Sequence, residues 1–193
     1  MGLREIRRLW RKERISAIKR FEKQKRANLL ANPGVHEFIV VLDHLKPAFN
    51  IGKIFRSADA FGACEVHVIG THFFDPAPAK GSFKYVPAKF HKDFKSCHEE
   101  LTQRNYALYT LESEVGEKLP FLELPERSAF VFGNEEFGIS IGKEEFSDVK
   151  SLKIPQFGQV QSLNVSVAAS IVMYEYIKQH SHEFVDLQKY EAS

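Results

Sequence analysis

Short runs of consecutive apolar residues alternate along this chain with longer stretches in which apolar positions return every three or four residues. Phe38-Ile39-Val40-Val41-Leu42 is continuous and rich in β-branched side chains, which predicts a strand covered on both faces. A helix is expected over 50–61, closed by Gly62, and Val66-His67-Val68-Ile69 reads as the next strand. An irregular Pro-rich stretch occupies 75–87. Beyond it the pattern predicts a helix over 92–104, strands over 106–111, 129–132 and 152–154, and a last helix over 165–178. Strands separated by helices imply an α/β fold, a parallel sheet flanked by helices with right-handed crossovers.

The first thirty residues differ. Leu3, Ile6, Trp10, Ile18 and Phe21 fall at helical spacings, but the polar stretch 11–14 interrupts them. The pattern predicts a helix, continuous or broken there, that docks weakly on the body and turns its basic side outward. Asn32-Pro33-Gly34 ends it. The chain therefore divides into a basic helical extension over 1–32, a main domain over 33–181 and a tail over 182–193.

Charge sharpens this division. The net charge of the 193 residues is only +2, yet residues 1–30 hold eleven Lys or Arg against Glu5, Glu13 and Glu22, a net of +8 that leaves −6 for the rest. Basicity gathered in one arm suits nucleic-acid phosphates, although a solvated helix face would look the same on charge alone. A composition of 44% hydrophobic and 27% charged residues is that of a globular protein. No run reaches a membrane span of about 18 apolar residues and no apolar leader opens the chain, so a cytoplasmic location without membrane attachment is expected. Cys64 and Cys97 are expected as reduced, buried thiols. The eight His residues show no ligand spacing of the HExxH kind, so no metal is expected.

Ligands of parallel sheets gather at the carboxyl ends of the strands. Here those ends carry Gly133-Asn134-Glu135, Pro155-Gln156-Phe157-Gly158 and, at the opening of the last helix, Ser162-Leu163-Asn164. Asn50 and Arg56 stand a turn and a half apart around another helix start, where Asn50 suits an N-cap. Read singly, Asn50 is a cap, Arg56 a surface cation, and Ile154 and Leu163 core.

Together, these segments resemble the SpoU (TrmH-like) family of the SPOUT RNA methyltransferases. Asn50-Ile-Gly-Lys-Ile-Phe-Arg56-Ser-Ala-Asp-Ala-Phe-Gly62 is similar to its first motif, Phe132-Gly-Asn-Glu-Glu-Phe-Gly138-Ile-Ser140 to its second, and the stretch from Ile154 to Ala168 to its third, in the family's order and near its spacing. The resemblance spans roughly residues 37–180. It implies a C-terminal deep trefoil knot, S-adenosyl-L-methionine as cofactor, transfer of its methyl group to a ribose 2'-hydroxyl, and a homodimer with the knot helices at the interface. It places adenosine contacts near Thr110, Gly133, Ile154 and Leu163, and site roles on Asn50, Arg56, Glu135, Ser162 and Asn164. The central role falls to Arg56, acting with a substrate phosphate on the hydroxyl proton. Arginine stays protonated in proteins, so a phosphate clamp that polarises the hydroxyl is the physical reading, with the proton's destination open. Two features depart from the family pattern: the apolar Pro47-Ala48-Phe49 before Asn50, and Gln156 where Met is frequent.

RNA would be gripped by the basic arm, the lysines of 80–95 and the segment after Lys178. That compact plan is similar to enzymes acting on the tRNA D-loop, so tRNA is the expected substrate and rRNA the rival. Val165, Val167, Ile171, Val172, Tyr174 and Tyr176 make the last helix apolar nearly all round, as burial against both the sheet and a second copy would require. A binding protein without turnover is opposed by the full set of polar site residues. A dinucleotide oxidoreductase is opposed by the lack of GxGxxG after the first strand.

Overall fold

The computed structural model describes residues 2–46, 49–112, 115–134, 138–140 and 145–181. Its elements, in chain order, are α1 (Leu3–Asn28), β1 (His36–Asp43), α2 (Phe49–Ala60), β2 (Ala63–Ile69), β3 (Ala88–His91), α3 (Phe94–Gln103), β4 (Ala107–Leu111), β5 (Glu117–Lys118), β6 (Ser128–Phe132), β7 (Lys150–Lys153) and α4 (Val165–His180). The seven strands form one sheet in the order β3-β2-β1-β6-β4-β7-β5, and every pairing in it is parallel.

Parallel strands bury both faces, and alternate residues serve opposite sides of the sheet. Phe38, Val40, Leu42, Phe130 and Phe132 pack with α2 and α4 in the larger core, where Tyr176 donates to the Glu126 carbonyl at 2.5 Å. Ile39, Val41, Ala129 and Val131 face Phe94, Cys97 and Leu101 of α3. Cys64 and Cys97 are free and buried, as expected. Two strands fall outside the sequence pattern. β3 is a half-buried edge strand interrupted by Lys89, and β5 is two exposed charged residues; neither carries the apolar run that marks a strand.

The amino-terminal helix decides between the two forms expected of it and corrects how it docks. It runs unbroken for 26 residues, because 3–28 contains no Gly or Pro and is dominated by Arg, Lys, Glu, Ala and Leu, with Glu5 in the first turn and Lys25 and Arg26 in the last. Leu3, Trp10 and Ile18 are exposed and do not dock. Its carboxyl-terminal part is, by contrast, firmly held. Phe21, 1% exposed, enters a cluster with Phe73, Phe74, Phe83 and Phe90 at centroid distances of 5.3 to 6.3 Å. Buried Asn28 donates to the carbonyls of Phe83 at 2.5 Å and Val86 at 2.6 Å, and accepts from the Ala88 amide at 3.0 Å. The Pro-rich stretch is thereby a packed support, with two short 3-10 turns at Ala77–Ala79 and Ser82–Lys84. Among the described residues no helix is long and apolar enough to cross a membrane.

Candidate active site at the carboxyl edge of the sheet

β6 ends at Phe132, and the chain turns back on itself at once. The Asn134 amide donates to the Gly138 carbonyl at 2.7 Å and the Gly138 amide to the Asn134 carbonyl at 2.8 Å. A Cβ on Gly133 would collide with the backbone of Gly138 and Ile139. Glycine at 133 is thus required by the loop's own backbone. Glu135 lies outside the described residues.

Asp43, at the end of β1, fastens this loop. Fully buried, it accepts from the Ser140 amide at 2.5 Å and the Ser140 hydroxyl at 2.8 Å, and pairs with His44 Nδ1 at 2.7 Å. Asn134 Nδ2 donates to the His44 carbonyl at 2.9 Å. His44 adopts a left-handed backbone, φ 51°, and its ring lies against Gly70, where a Cβ would strike it. Sequence reasoning misses Asp43 and His44, and takes Ser140 only as the end of the second motif. The available signal is an acid closing an uninterrupted apolar run, since a buried carboxylate needs donors.

Thr110 lies on β4 between β6 and β7 and is 2% exposed. Its hydroxyl is within reach of the Lys150 carbonyl at 3.3 Å, Ser151 Oγ at 3.4 Å and Glu112 Oε1 at 3.5 Å, so the side chain is committed inside the sheet. Ile154, directly after β7, is half-buried against the larger core. The next loop holds Gln156, whose Oε1 is buried and accepts no hydrogen bond among the described residues.

Two helix starts meet beside these loops. Asn164 is the N-cap of α4: its Oδ1 accepts from the Ser166 amide at 3.0 Å and the Ser166 hydroxyl at 2.6 Å, while its Nδ2 donates to Asn50 Oδ1 at 3.3 Å. Asn50 is not the cap expected of it, because α2 already begins at Phe49. Further on, Ser57 and Ser170 hydroxyls meet at 2.8 Å, so the two helices run side by side in the same direction. Their positive dipole ends therefore converge, an arrangement that favours anionic groups. Leu163 is half-buried and Ser162 exposed just before α4. Arg56 is exposed on α2, and no hydrogen bond or ion pair engages it among the described residues. The structure joins Asn50 to Asn164 directly. It sets Thr110 on β4 and Gly133 and Ile154 directly after its neighbours β6 and β7, and leaves Arg56 and Ser162 facing solvent.

A seven-stranded parallel sheet with loops and paired helix starts at its carboxyl edge defines an open-sheet α/β protein, a class in which ligands gather at that edge. Residues 37–174 match the SpoU rRNA Methylase family, and the chain belongs to it. It is similar to a tRNA (guanosine(18)-2'-O)-methyltransferase of Thermus thermophilus, 31% identical over 144 residues, 72% of this chain and 73% of that one. It is also similar to the 23S rRNA (guanosine-2'-O-)-methyltransferase RlmB of Xylella fastidiosa, 29% identical over 87% of this chain and 69% of that one. Among solved structures, the A. aeolicus TrmH/SpoU tRNA modifying enzyme superposes with a TM-score of 0.69 at 26% identity, covering 84% of each chain.

Proposed function

We propose that this protein is an RNA methyltransferase that moves a methyl group from S-adenosylmethionine to a ribose 2'-hydroxyl, with tRNA as its substrate. The observation that carries the reading is the Asn50–Asn164 hydrogen bond, which unites two motifs 114 residues apart at converging helix starts. The cofactor fits the loops after β6 and β7. Gln156 Oε1 is an acceptor without a donor among the described residues, and an adenosyl amino acid is rich in N–H donors. Gly133, Ile154 and Leu163 would hold the adenosine through backbone and apolar contacts. Thr110, whose hydroxyl is engaged internally, would contribute through its backbone.

S-adenosylmethionine, when bound, supplies an already electrophilic methyl group. The protein's own residues then have to place and activate a poor nucleophile. Exposed Arg56 would clamp the phosphate next to the target ribose and polarise its hydroxyl. Asn50, Ser162 and Asn164 would hydrogen-bond the ribose and fix its approach, with Glu135 adding a carboxylate from the second motif. The domain roles follow: 1–32 as an RNA-binding arm, 33–181 as the methyltransferase domain and 182–193 as a tail. A C-terminal trefoil knot is part of this reading, supported by the return of α4 to α2 and β1 after β7 at the far side of the sheet. So is a homodimer built along α4.

Of the lysines assigned to RNA, Lys89 is engaged elsewhere, at 2.5 Å from Glu100 and 3.2 Å from Glu65. The grip rests instead on the arm and on exposed Lys80, Lys92 and Lys95. Relatives named for tRNA and for rRNA both align with the chain, so the experiment must separate the two. Purified protein is incubated with methyl-labelled S-adenosylmethionine and either total tRNA or ribosomal RNA, and the products are digested and read by mass spectrometry. Label in a 2'-O-methylnucleoside from tRNA is expected. Label confined to rRNA would overturn the substrate, and no label with either RNA would overturn the activity.

A further inference from the structure

A second polar cluster lies on the opposite face of the sheet, under α3. His67 of β2 is fully buried and its Nε2 is 2.8 Å from Glu65 Oε2. The carboxylate can only accept there, so Nε2 carries a proton, and in the neutral ring Nδ1 is the acceptor. Two groups converge on that acceptor: His91 Nε2 of β3 at 3.1 Å and the Cys97 thiol of α3 at 3.4 Å. A single imidazole lone pair serves one donor well. Here two ligand-type atoms from separate elements crowd it, and the three atoms all lie within 4.8 Å of one another.

A metal ion resolves this crowding. Tetrahedral zinc, with bonds of about 2.0–2.1 Å to nitrogen and about 2.3 Å to sulfur, holds two nitrogens about 3.3 Å apart and a nitrogen and a sulfur about 3.5 Å apart. The spacings around His67 Nδ1 fall close to both values. Outside the three atoms the arrangement continues as metal sites usually do, with a carboxylate on the far nitrogen of a ligand histidine. Glu65 is itself fixed by Arg104, whose two terminal nitrogens donate to it at 2.7 and 3.1 Å. Glu100 Oε2 stands 4.0 Å from His91 Nε2. Lys89 and Arg104 balance Glu65 and Glu100, so an ion plus a thiolate adds one positive charge to an otherwise neutral patch. Imidazole with thiolate selects zinc over magnesium or calcium.

We propose that His67 Nδ1, His91 Nε2 and Cys97 Sγ form a structural site for a divalent zinc-class ion that ties the edge strand β3 and helix α3 to β2. Sequence spacing could not have indicated it, because the residues come from three elements and form no compact motif. The site is independent of the methyltransferase reading and is tested without RNA or cofactor.

Full-length protein carrying no histidine tag is purified without chelator, its zinc is measured by mass spectrometry, and chelator-treated protein is titrated with cobalt(II) chloride. About one zinc per chain is expected, and cobalt should produce the thiolate charge-transfer and tetrahedral ligand-field bands of a nitrogen and sulfur site. Cys97→Ser should abolish the charge-transfer band and Cys64→Ser should leave it unchanged. His91→Gln should weaken cobalt binding at least about tenfold. Circular dichroism verifies that each protein is folded. Folded wild-type protein with less than about one-tenth of a zinc per chain and no cobalt charge-transfer band would show that the cluster is only a hydrogen-bonded core network. A band that survives in Cys97→Ser would equally overturn the assignment.

Discussion

Arg56 separates chemistry from folding more cleanly than any other residue of the site, because it is exposed and makes no ion pair or hydrogen bond among the described residues. Arg56→Ala should change stability by no more than about 0.5 kcal/mol. If the guanidinium holds a phosphate and polarises the hydroxyl, kcat should fall at least about a hundredfold while S-adenosylhomocysteine binds as before. Calorimetry together with single-turnover methylation tests this, and full turnover in the mutant would remove Arg56 from the mechanism. Asn164 has two duties that mutation can divide. Its Oδ1 caps α4 and its Nδ2 reaches Asn50. Asn164→Ala should cost about 1 kcal/mol of stability together with activity, as expected for a lost cap. Asn164→Asp keeps the capping acceptor and loses only the donor, so it should retain the melting temperature and still turn over more slowly. Equal activity of the Asn164→Asp protein and wild type would reduce Asn50–Asn164 to a structural contact. Motif spacing locates both asparagines. It cannot assign the cap, because that depends on where α2 begins, and it cannot find Asp43, whose partner Ser140 is 97 residues away.

At the scale of elements, legibility follows burial. β1 and β6 are readable because burial on both faces demands a continuous apolar run, β2 and β4 because apolar, largely β-branched or aromatic residues still dominate around His67 and Thr110, and α2, α3 and α4 because each buries apolar positions at helical spacing. β3 and β5 lie at the sheet's edges, where one row of neighbours is missing and charge is tolerated, so their sequences carry no such mark. The first helix misleads for a related reason. Its polar stretch reads as a break only on the premise that the whole helix docks, whereas a helix that stands clear needs no apolar stripe. Two substitutions test that anatomy. Phe21→Ala should destabilise the fold by about 3 kcal/mol, since it empties the centre of five packed aromatic rings, while Trp10→Ala should leave stability within about 0.5 kcal/mol. Equal losses in urea denaturation would mean that the amino-terminal half is packed after all. The exposed half carries Arg4, Arg7, Arg8, Arg11, Lys12 and Arg14. Changing Arg7, Arg8 and Arg11 together to Gln should weaken RNA binding and flatten its salt dependence by about two to three units of slope, with S-adenosylhomocysteine affinity untouched. An unchanged slope would assign the arm to something other than phosphate.

For the molecule as a whole, the unsettled surface is α4. Val165, Val172 and Tyr176 turn into the core, yet Val167 is 48% and Tyr174 45% exposed, with half-buried Ile171 between them. Positions 167, 171 and 174 are separated by four and three residues and so share one stripe of the helix. The same helix begins at Asn164, so whatever covers its outer stripe stands within a few turns of the site. A second copy is the occupant expected from the family resemblance, and it would explain why Arg56 and Ser162 are left open in one chain: the pocket would be closed by both. Tyr174, whose ring meets Phe61 edge-on at 6.3 Å, lies more than two turns from Asn164 and can be altered without entering the proposed machinery. Tyr174→Glu places a charge in the stripe and should convert a dimer to a monomer in sedimentation velocity, with little change in melting temperature of the isolated fold. The monomer should still be folded by circular dichroism and should lose RNA methylation. Wild-type protein that sediments as a monomer up to micromolar concentrations and remains active would sink the two-chain site. An active monomeric Tyr174→Glu protein would keep the dimer but detach it from catalysis.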